Sequence, residues 1–513
     1  MFEGLNCRDK VPANRSRRLR CLVVATVILA ALNVACSDKH TTTIRFGLAS
    51  EPVTLDPRFA TDATSYRITR LIFEALVDFD ENYQVIPALG RWAKRSPIDY
   101  RFFLKEEAVF HDGQILTSDD VVATYESILD PSTASPHRGS LENVASVQAV
   151  SQHVVDFKLR RPDLLFPGPL MIGIMRRTDI EANPSSVENP IGSGPFSAID
   201  VASASRLVLK RSSDSQEIEF LTVKDPTVRA LKIVHGELDI IQGSMTPELV
   251  KWLDVRDDVQ TKYRAGTTFT YLGFNMRDAT VGNPELRKAI SHAIDRAALT
   301  RYMFGGHARL ASAIFTPEHW AGHDKLPEIE HNPDKARAIL SRLGYGAGNP
   351  LQLSYKTSSD NFRLRIATVI QNQLAHVGVS VNIQSYDWGT FYADVKAGRF
   401  QLYSLSWVGL KQPDIFRYAF HSESTPPAGA NRGRYKSTAV DQLIEDAESE
   451  TELARRAEIY RQIQRHLLVD LPYIPMWFED TTIAYRDSIA GYETVLDGHY
   501  DGLIEVTRSN KHD

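Results

Sequence analysis

Side chains able to bind or react are plentiful in this sequence, but few stand at a spacing that chemistry requires. Fifteen histidines could ligate a metal or move a proton. Yet His111 sits in the turn "FHDG", His137 follows Pro136 and His421 lies in "AFHSES". None has a second His, Cys or Glu three or four residues on, where one helical face would present both to zinc. The "GSG" at 192–194 is a glycine turn before Pro195, and no G-x-S-x-G elbow, G-x-G-x-x-G fingerprint or phosphate loop occurs. No enzymatic role, metal or cofactor is therefore expected, and recognition is the chemistry left. The stretch "SWVGLKQPDIFRY", residues 406–418, supplies the means for it. Trp407 can stack on a ligand of either polarity, Lys411 can hold an anion, and Asp414 is the first acid after the tryptophan. The alternatives are a core tryptophan, a solvated lysine and a helix cap in "PDIF".

The N-terminus says where such chemistry would operate. Arg15, Arg17, Arg18 and Arg20 precede the uncharged run "CLVVATVILAALNVA", which ends at Cys36. That order is a secretion signal, and the run falls short of the roughly 18–20 apolar residues that span a bilayer. Val34-Ala35-Cys36 resembles the site at which bacterial lipoproteins are cleaved and lipidated, with Asn33 where leucine is usual. Residues 1–35 are thus expected as a signal peptide, Cys36 as the lipidated residue and 36–42 as a tether. The expected location is the periplasm or cell envelope, anchored to the membrane by lipid. The other cysteines, Cys7 and Cys21, lie in the removed segment, so the exported chain has no pair to form a disulfide. Processing removes six of 59 Lys/Arg and two of 64 Asp/Glu, which leaves 53 against 62 and a net charge of −9. That sign disfavours nucleic acid as a partner.

Strand and helix signals alternate along the rest. "TIRFGLAS" alternates as a strand, and "TSYRITRLIFEALVDF" places Ile68, Leu71, Ile72, Ala75 and Leu76 on one helical face. "YRFFLKEEAVFHDG" reads as a hairpin closing on Asp112-Gly113, and Thr117 caps the helix of "TSDDVVATYESILD". "PELRKAISHAIDRAALTRYMF" carries one apolar stripe after the strand "TFTYLGFNM". Mixed elements without repeats or a disordered linker predict abutting α/β lobes.

Taken in order, several segments resemble the extracytoplasmic solute-binding proteins of peptide and nickel ABC transporters, family 5. They are "ASEPVTLDPRFATDATSYRITRLIFEALVDFD", "VIPALGRWAKRSPIDYRFFLKEEAVFHDGQILTSDDVVATYESIL", "IGSGPF", "YLGFNMRDATVGNPELRKAISHAIDR", "FQLYSLSWVGLKQPDIFRYAF" and "NRGRYKSTAVDQLIEDAESE" with "RAEIYRQIQRHLLVDLPYIPMW". The resemblance implies a two-lobed periplasmic-binding-protein fold, class II and of the large subtype. Lobe I would comprise 43–268 and 478–513 with an inserted subdomain at about 86–188, and lobe II 269–477. Crossings are expected near Thr268–Tyr271 and Pro475–Phe478. It implies a monomer that captures a peptide or peptide-like solute between the lobes and delivers it to an ABC permease in the inner membrane. A nickel chelate, haem, opine or oligosaccharide are alternative ligands on the same fold, and a secreted hydrolase is a further alternative. The family's cleft positions fall on Ser50 and Leu55, Gly194 in the turn Gly192–Phe196, Asn275, Arg363 and Arg365 as carboxylate binders, and Trp407. The acid that pairs with a peptide's α-ammonium three residues after the tryptophan is here Leu410. A buried ammonium without a carboxylate loses compensation on the order of several kcal/mol. Either Asp414 swings in, or the ligand is N-blocked or not a peptide, or Lys411 takes an anion.

Overall fold

The computed structural model describes residues 43–182, 190–203, 205–495 and 497–509. The expected signal peptide, Cys36 and tether lie outside them, as does the end of the expected insertion. The first strand, β1 (Ile44–Leu48), alternates less than its sequence suggests, because parallel neighbours pair with both of its edges and layers cover both faces. The helix Ala63–Ile72 keeps Ile68, Leu71 and Ile72 buried but stops at Phe73, before Ala75 and Leu76. The reason lies 120 residues away along the chain, a figure of about that size, where Gly194 N–H donates to the Ile72 carbonyl at 2.8 Å. Gly192 approaches so closely that a Cβ would stand 1.9 Å from the same oxygen.

A short hairpin, β2 (Val77–Phe79) and β3 (Val85–Pro87), leads into a separate antiparallel sheet. It is built of β4 (Gly90–Ser96), β5 (Asp99–Leu104), β6 (Val144–Ser151) and β7 (Val154–Leu159), in the order β4-β5-β7-β6. The helix Ser118–Leu129 packs Val121, Tyr125 and Ile128 onto it. The expected hairpin closing on Asp112-Gly113 is only the isolated bridge Val109–Ile115, since β5 pairs with β4 and β7 instead. The chain then returns through β8 (Phe196–Ser203), β9 (Arg206–Arg211), β10 (Glu217–Thr222) and β11 (Ile240–Gln242), which with β1 form the lobe I half of the main sheet.

Two long strands join that half to lobe II: β12 (Val259–Phe274) and β17 (Tyr473–Arg486). Between them in sequence lie β13 (Ala308–Leu310), β14 (Leu351–Ser358), β15 (Val379–Tyr386) and β16 (Leu402–Trp407). The full order is β15-β14-β16-β12-β17-β11-β1-β10-β9-β8, with β13 also on β17. The single expected helical stripe of 284–304 is two helices, Pro284–Ala293 and Arg296–Phe304. Asp295 interrupts it by accepting from Ala298 N–H at 2.8 Å, an N-cap the hydrophobic spacing does not reveal.

The antiparallel register of β12 and β17 shifts twice near mid-strand, between Arg264 and Thr268 and again between Thr270 and Tyr271. Val259–Arg264 pair with Arg486–Thr481, and pairing resumes at Thr268 with Glu479. The first shift lies on the lobe I side of the segments expected to cross. On its lobe I side β17 is flanked by β11, and on its lobe II side β12 gains β16 and β17 gains β13. Gly266 sits in this bulge, where a Cβ would lie 2.1 Å from the Glu479 carbonyl oxygen. Gly266→Ala is therefore expected to destabilise by about 1–3 kcal/mol through a forced backbone shift. Gly348→Ala, with nothing within 4 Å of the added carbon, should change stability by less than about 0.5 kcal/mol. Urea unfolding of the two variants makes the comparison.

Candidate functional site

Strand β16 lies beside the lobe II part of β12, with Trp407 opposite Phe269. Gly409, at φ +67°, then turns the chain toward lobe I, where His499 and Asp497 approach it. Leu410 faces a small apolar hollow shared with Tyr83, Thr267, Phe315, His319 and Phe478. Lys411 crosses to lobe I, its Nζ 2.8 Å from Asp497 Oδ2 and 3.6 Å from Asp78 Oδ1, above the ring of Phe79. Arg70 bridges Asp78 at 2.7 Å and Asp501 at 2.9 Å. Burial works against the Lys411 ammonium, but the facing carboxylates, Asp497 first, leave its pKa raised. Burial likewise opposes Asp497, yet His499, Lys411 and Arg70 hold its carboxyl below the usual range. Burial pulls His499 itself down to about 4, so it is neutral at pH 7. His319 Nδ1 accepts from Ala321 N–H at 3.1 Å, so Nε2–H donates to the Lys411 carbonyl at 3.1 Å and fixes the loop. The Tyr83 ring of lobe I packs on His319 at 4.6 Å.

Behind Trp407 stands a second cation. Arg432 is 6% exposed, and its Cζ lies 4.7 Å from the centroid of the Trp407 ring and 5.4 Å from that of Tyr392. Its Nη1 donates to Tyr271 Oη at 3.3 Å and its Nη2 to Tyr392 Oη at 3.2 Å. Tyr271 stacks on Trp407 at 6.3 Å, and Tyr418 meets the same indole edge-on at 6.2 Å. Tyr418 Oη also donates to the Pro136 carbonyl at 3.4 Å, which places this aromatic group at the lobe boundary. The Trp407 indole N–H is buried and, among the described residues, has no hydrogen-bond partner. Such a face can stack on a planar or apolar ligand and donate hydrogen bonds to it.

A family model described as the middle part of bacterial extracellular solute-binding proteins, family 5, matches residues 90–426. The chain belongs to this family. Among relatives, the oligopeptide-binding protein AppA of Bacillus subtilis is 24% identical over 87% of this chain and 88% of its own length. Among solved structures, the periplasmic binding protein DppA of Helicobacter pylori, in complex with the peptide STSA, superposes with a TM-score of 0.83 at 23% identity. It covers 91% of this chain and 98% of that one. The binding protein AgaA from A. tumefaciens, in complex with agropinic acid, gives a TM-score of 0.82 at 22% identity over 92% and 99% of the two chains. The two-lobed α/β fold of this family 5 member is thus that of its relatives. Among the described residues no helix is long and apolar enough to cross a membrane, and no group of three or more His, Cys, Asp or Glu is placed to hold a metal.

The positions carried over from the family fall in different places in this member. Trp407 and Lys411 stand at the lobe boundary as described. Asp414 lies there too, just before the helix Ile415–Phe420 and without a capping bond. Arg363 forms a two-point ion pair with Glu479 of β17 at 2.6 and 3.1 Å, and Thr270 Oγ1 donates to the same carboxylate at 2.6 Å. Arg365 is exposed. Asn275 Nδ2 donates to the carbonyls of Gly398 and Phe400, both at 3.1 Å. Ser50 is exposed and shares a 2.8 Å hydrogen bond with Thr64, Leu55 is in the lobe I core, and Gly194 packs under the helix end already described. The residues that sequence reasoning passed over are Arg432, Tyr271 and Tyr392 around Trp407, and Asp78 and Asp497 around Lys411. Only "NRGRY" carried a trace, an arginine pair beside a glycine with no periodicity to orient it.

Asp414 yields a pH dependence. Burial, and after it the carboxylate of Asp163 in the inserted part, push its pKa up to about 7. Burial raises Asp163 as well. An acid whose folded pKa exceeds its unfolded value of about 3.9 binds its proton more tightly when folded, so its contribution to stability falls as pH rises from about 4 to 7. Asp414→Asn removes that loss. Thermal unfolding should show the variant equal to the parent near pH 4 and more stable at pH 8, by on the order of 1–3 kcal/mol. An advantage that does not grow with pH would contradict the assignment.

Proposed function

We propose that this family member captures a peptide or peptide-like solute between its lobes and delivers it to an ABC permease, held at the membrane by lipid on Cys36 and free of catalytic activity. The observation that carries the proposal is the placement of Trp407. It stands at the end of β16, next to the bulged hinge strand β12, on a face that meets lobe I through Lys411 and Tyr418. Rotation about two strands would open this face, and closure would enclose a ligand against it. The peptide and the opine-type acid named with the similar structures belong to those proteins, and they support a cleft of this kind as a solute site.

A second reading within the same fold is favoured by Leu410. The position of the family's ammonium-pairing acid is apolar, and Lys411 beside it is engaged by Asp497 and Asp78. A solute without a free ammonium, whether an N-blocked peptide or a non-peptide molecule, suits this arrangement better than an ordinary peptide.

A ligand that binds only the folded protein stabilises it by about 2.7 kcal/mol at 100 times its Kd. The purified protein is expected to show a raised thermal midpoint with at least one of free peptides, N-acetylated peptides or opine-like acids. Trp407→Ala should weaken that binding tenfold or more, and unchanged affinity would remove Trp407 from the site. Cys36→Ala is expected to move the protein from the membrane fraction to the soluble envelope fraction, whereas continued membrane retention would argue against the lipid anchor.

A further inference from the structure

Buried arginines are a recurrent device in this protein, and most are fully wired. Arg58 pairs with Asp56 at 2.6 Å, and Arg211 with Asp214 at 2.6 Å plus the carbonyls of Leu503, Ile504 and Val506. Arg229, Arg287 and Arg296 each donate to three main-chain carbonyls. These side chains tie loops to the core, and among the described residues only Nε of Arg229 is left without a hydrogen-bond partner in this set. Arg432 is different. Among the described residues no carboxylate lies within ion-pair distance of it and no carbonyl accepts from its guanidinium. Its only hydrogen-bond acceptors are the two tyrosine oxygens, at the long distances of 3.3 and 3.2 Å.

The groups around it share one property. A guanidinium carries five donors and no acceptor, and here two are spent on hydroxyls. Once Tyr392 Oη accepts from Arg432 it still has its own proton to donate, whereas the fully buried Tyr271 hydroxyl is also engaged with those of Tyr403 and Tyr473. The Trp407 indole N–H beside them is a donor only, buried and, among the described residues, without a partner. A fixed positive charge is therefore ringed by unused donors and aromatic rings, with no anion to neutralise it. A buried charge of this kind is costly until an oppositely charged group arrives, and a planar carboxylate matches the guanidinium fork in two-point geometry.

We propose that Arg432, with the Trp407 indole N–H and the hydroxyl of Tyr392, forms a subsite in lobe II for a carboxylate of the transported solute. This inference rests on the capture of a peptide-like solute proposed above and assigns its chemistry. The ligand presents an anion to the Trp407 wall, at the place beside which the family's usual acid would have received a cation. The favoured solutes are acylated peptides or acid conjugates with a free carboxylate and no free ammonium. Trp407 serves both as a stacking surface and as a donor, and Arg432 sets the sign of charge that is accepted.

The experiment incubates the purified protein with a mixed pool of di- to pentapeptides prepared in four forms: free at both ends, N-acetylated with a free carboxylate, free amine with a C-terminal amide, and blocked at both ends. Species retained through gel filtration are identified by mass spectrometry and their affinities measured by calorimetry. The expected result is retention of the N-acetylated free acids, at least tenfold tighter than the doubly blocked forms. Arg432→Gln should erase that preference, while Arg432→Lys keeps part of it. Should Arg432→Gln fail to fold, Trp407→Phe preserves the ring and removes only the N–H, and should weaken the free acids several-fold while leaving the amides unchanged. Retention that ignores the C-terminus, or that favours free-amine amides, overturns the carboxylate subsite and leaves solute capture standing. Retention of none of the four pools overturns the capture of peptide-like solutes and the subsite with it.

Discussion

The main-chain connections between the lobes are two antiparallel strands that change neighbours halfway along. β12 and β17 belong to both halves of the main sheet, and their register shifts between Arg264 and Thr268, opposite Glu479–Thr481, and again between Thr270 and Tyr271. A bulge is where a ladder can bend with the fewest hydrogen bonds lost. Gly266 lets the strands approach there, while Glu479 just beyond it gathers Arg363, Thr270 and Trp477. The middle of the strand pair thus combines a close backbone approach on β12 with a pinned carboxylate on β17. The ladder gives way on either side of that carboxylate, so bending is shared between two neighbouring irregularities near mid-strand.

On either side of that hinge, charge is distributed unevenly. The closing segment after β16 brings a lysine, and lobe I meets it with Asp78 and Asp497, the first of them also bound by Arg70. Further into lobe II, Arg432 is buried among tyrosines and tryptophan. The first set satisfies itself across the boundary. The second does not, and this contrast separates a contact that joins lobes from a surface that can receive something else.

The broad architecture was readable because it depends on patterns that repeat. Helical stripes such as Ile68, Leu71 and Ile72, the glycine turn at Gly192–Gly194 and the ordered family segments each specify a local element, and together they specify the fold. Boundaries failed where a distant partner intervened. Gly194 ends the first helix by taking the Ile72 carbonyl, and Asp295 splits a stripe that spacing alone reads as continuous. The site was legible only in part. Trp407 and Lys411 stand out in sequence as an aromatic and a cation beside a glycine, but their partners arrive from Tyr271, Tyr392, Arg432 and Asp497, which are scattered over more than two hundred positions by a rough count and share no spacing. The role of a side chain such as Arg363 is decided by Glu479, a residue on another strand, and no helical pattern contains that information.

The Lys411 bridge has a consequence for the timing of transport. A protein whose lobes are joined by its own ammonium and carboxylates draws part of the free energy of closure from itself and not from its cargo. Capture then demands less of the solute, because part of the work of shutting is already done. Release demands more of whatever opens the protein, since Asp78 and Asp497 must be parted from Lys411 before the cargo can leave. Under the proposed capture, loading and unloading fall to different side chains, the first to the aromatic wall of lobe II and the second to the salt link of Lys411 with Asp78 and Asp497.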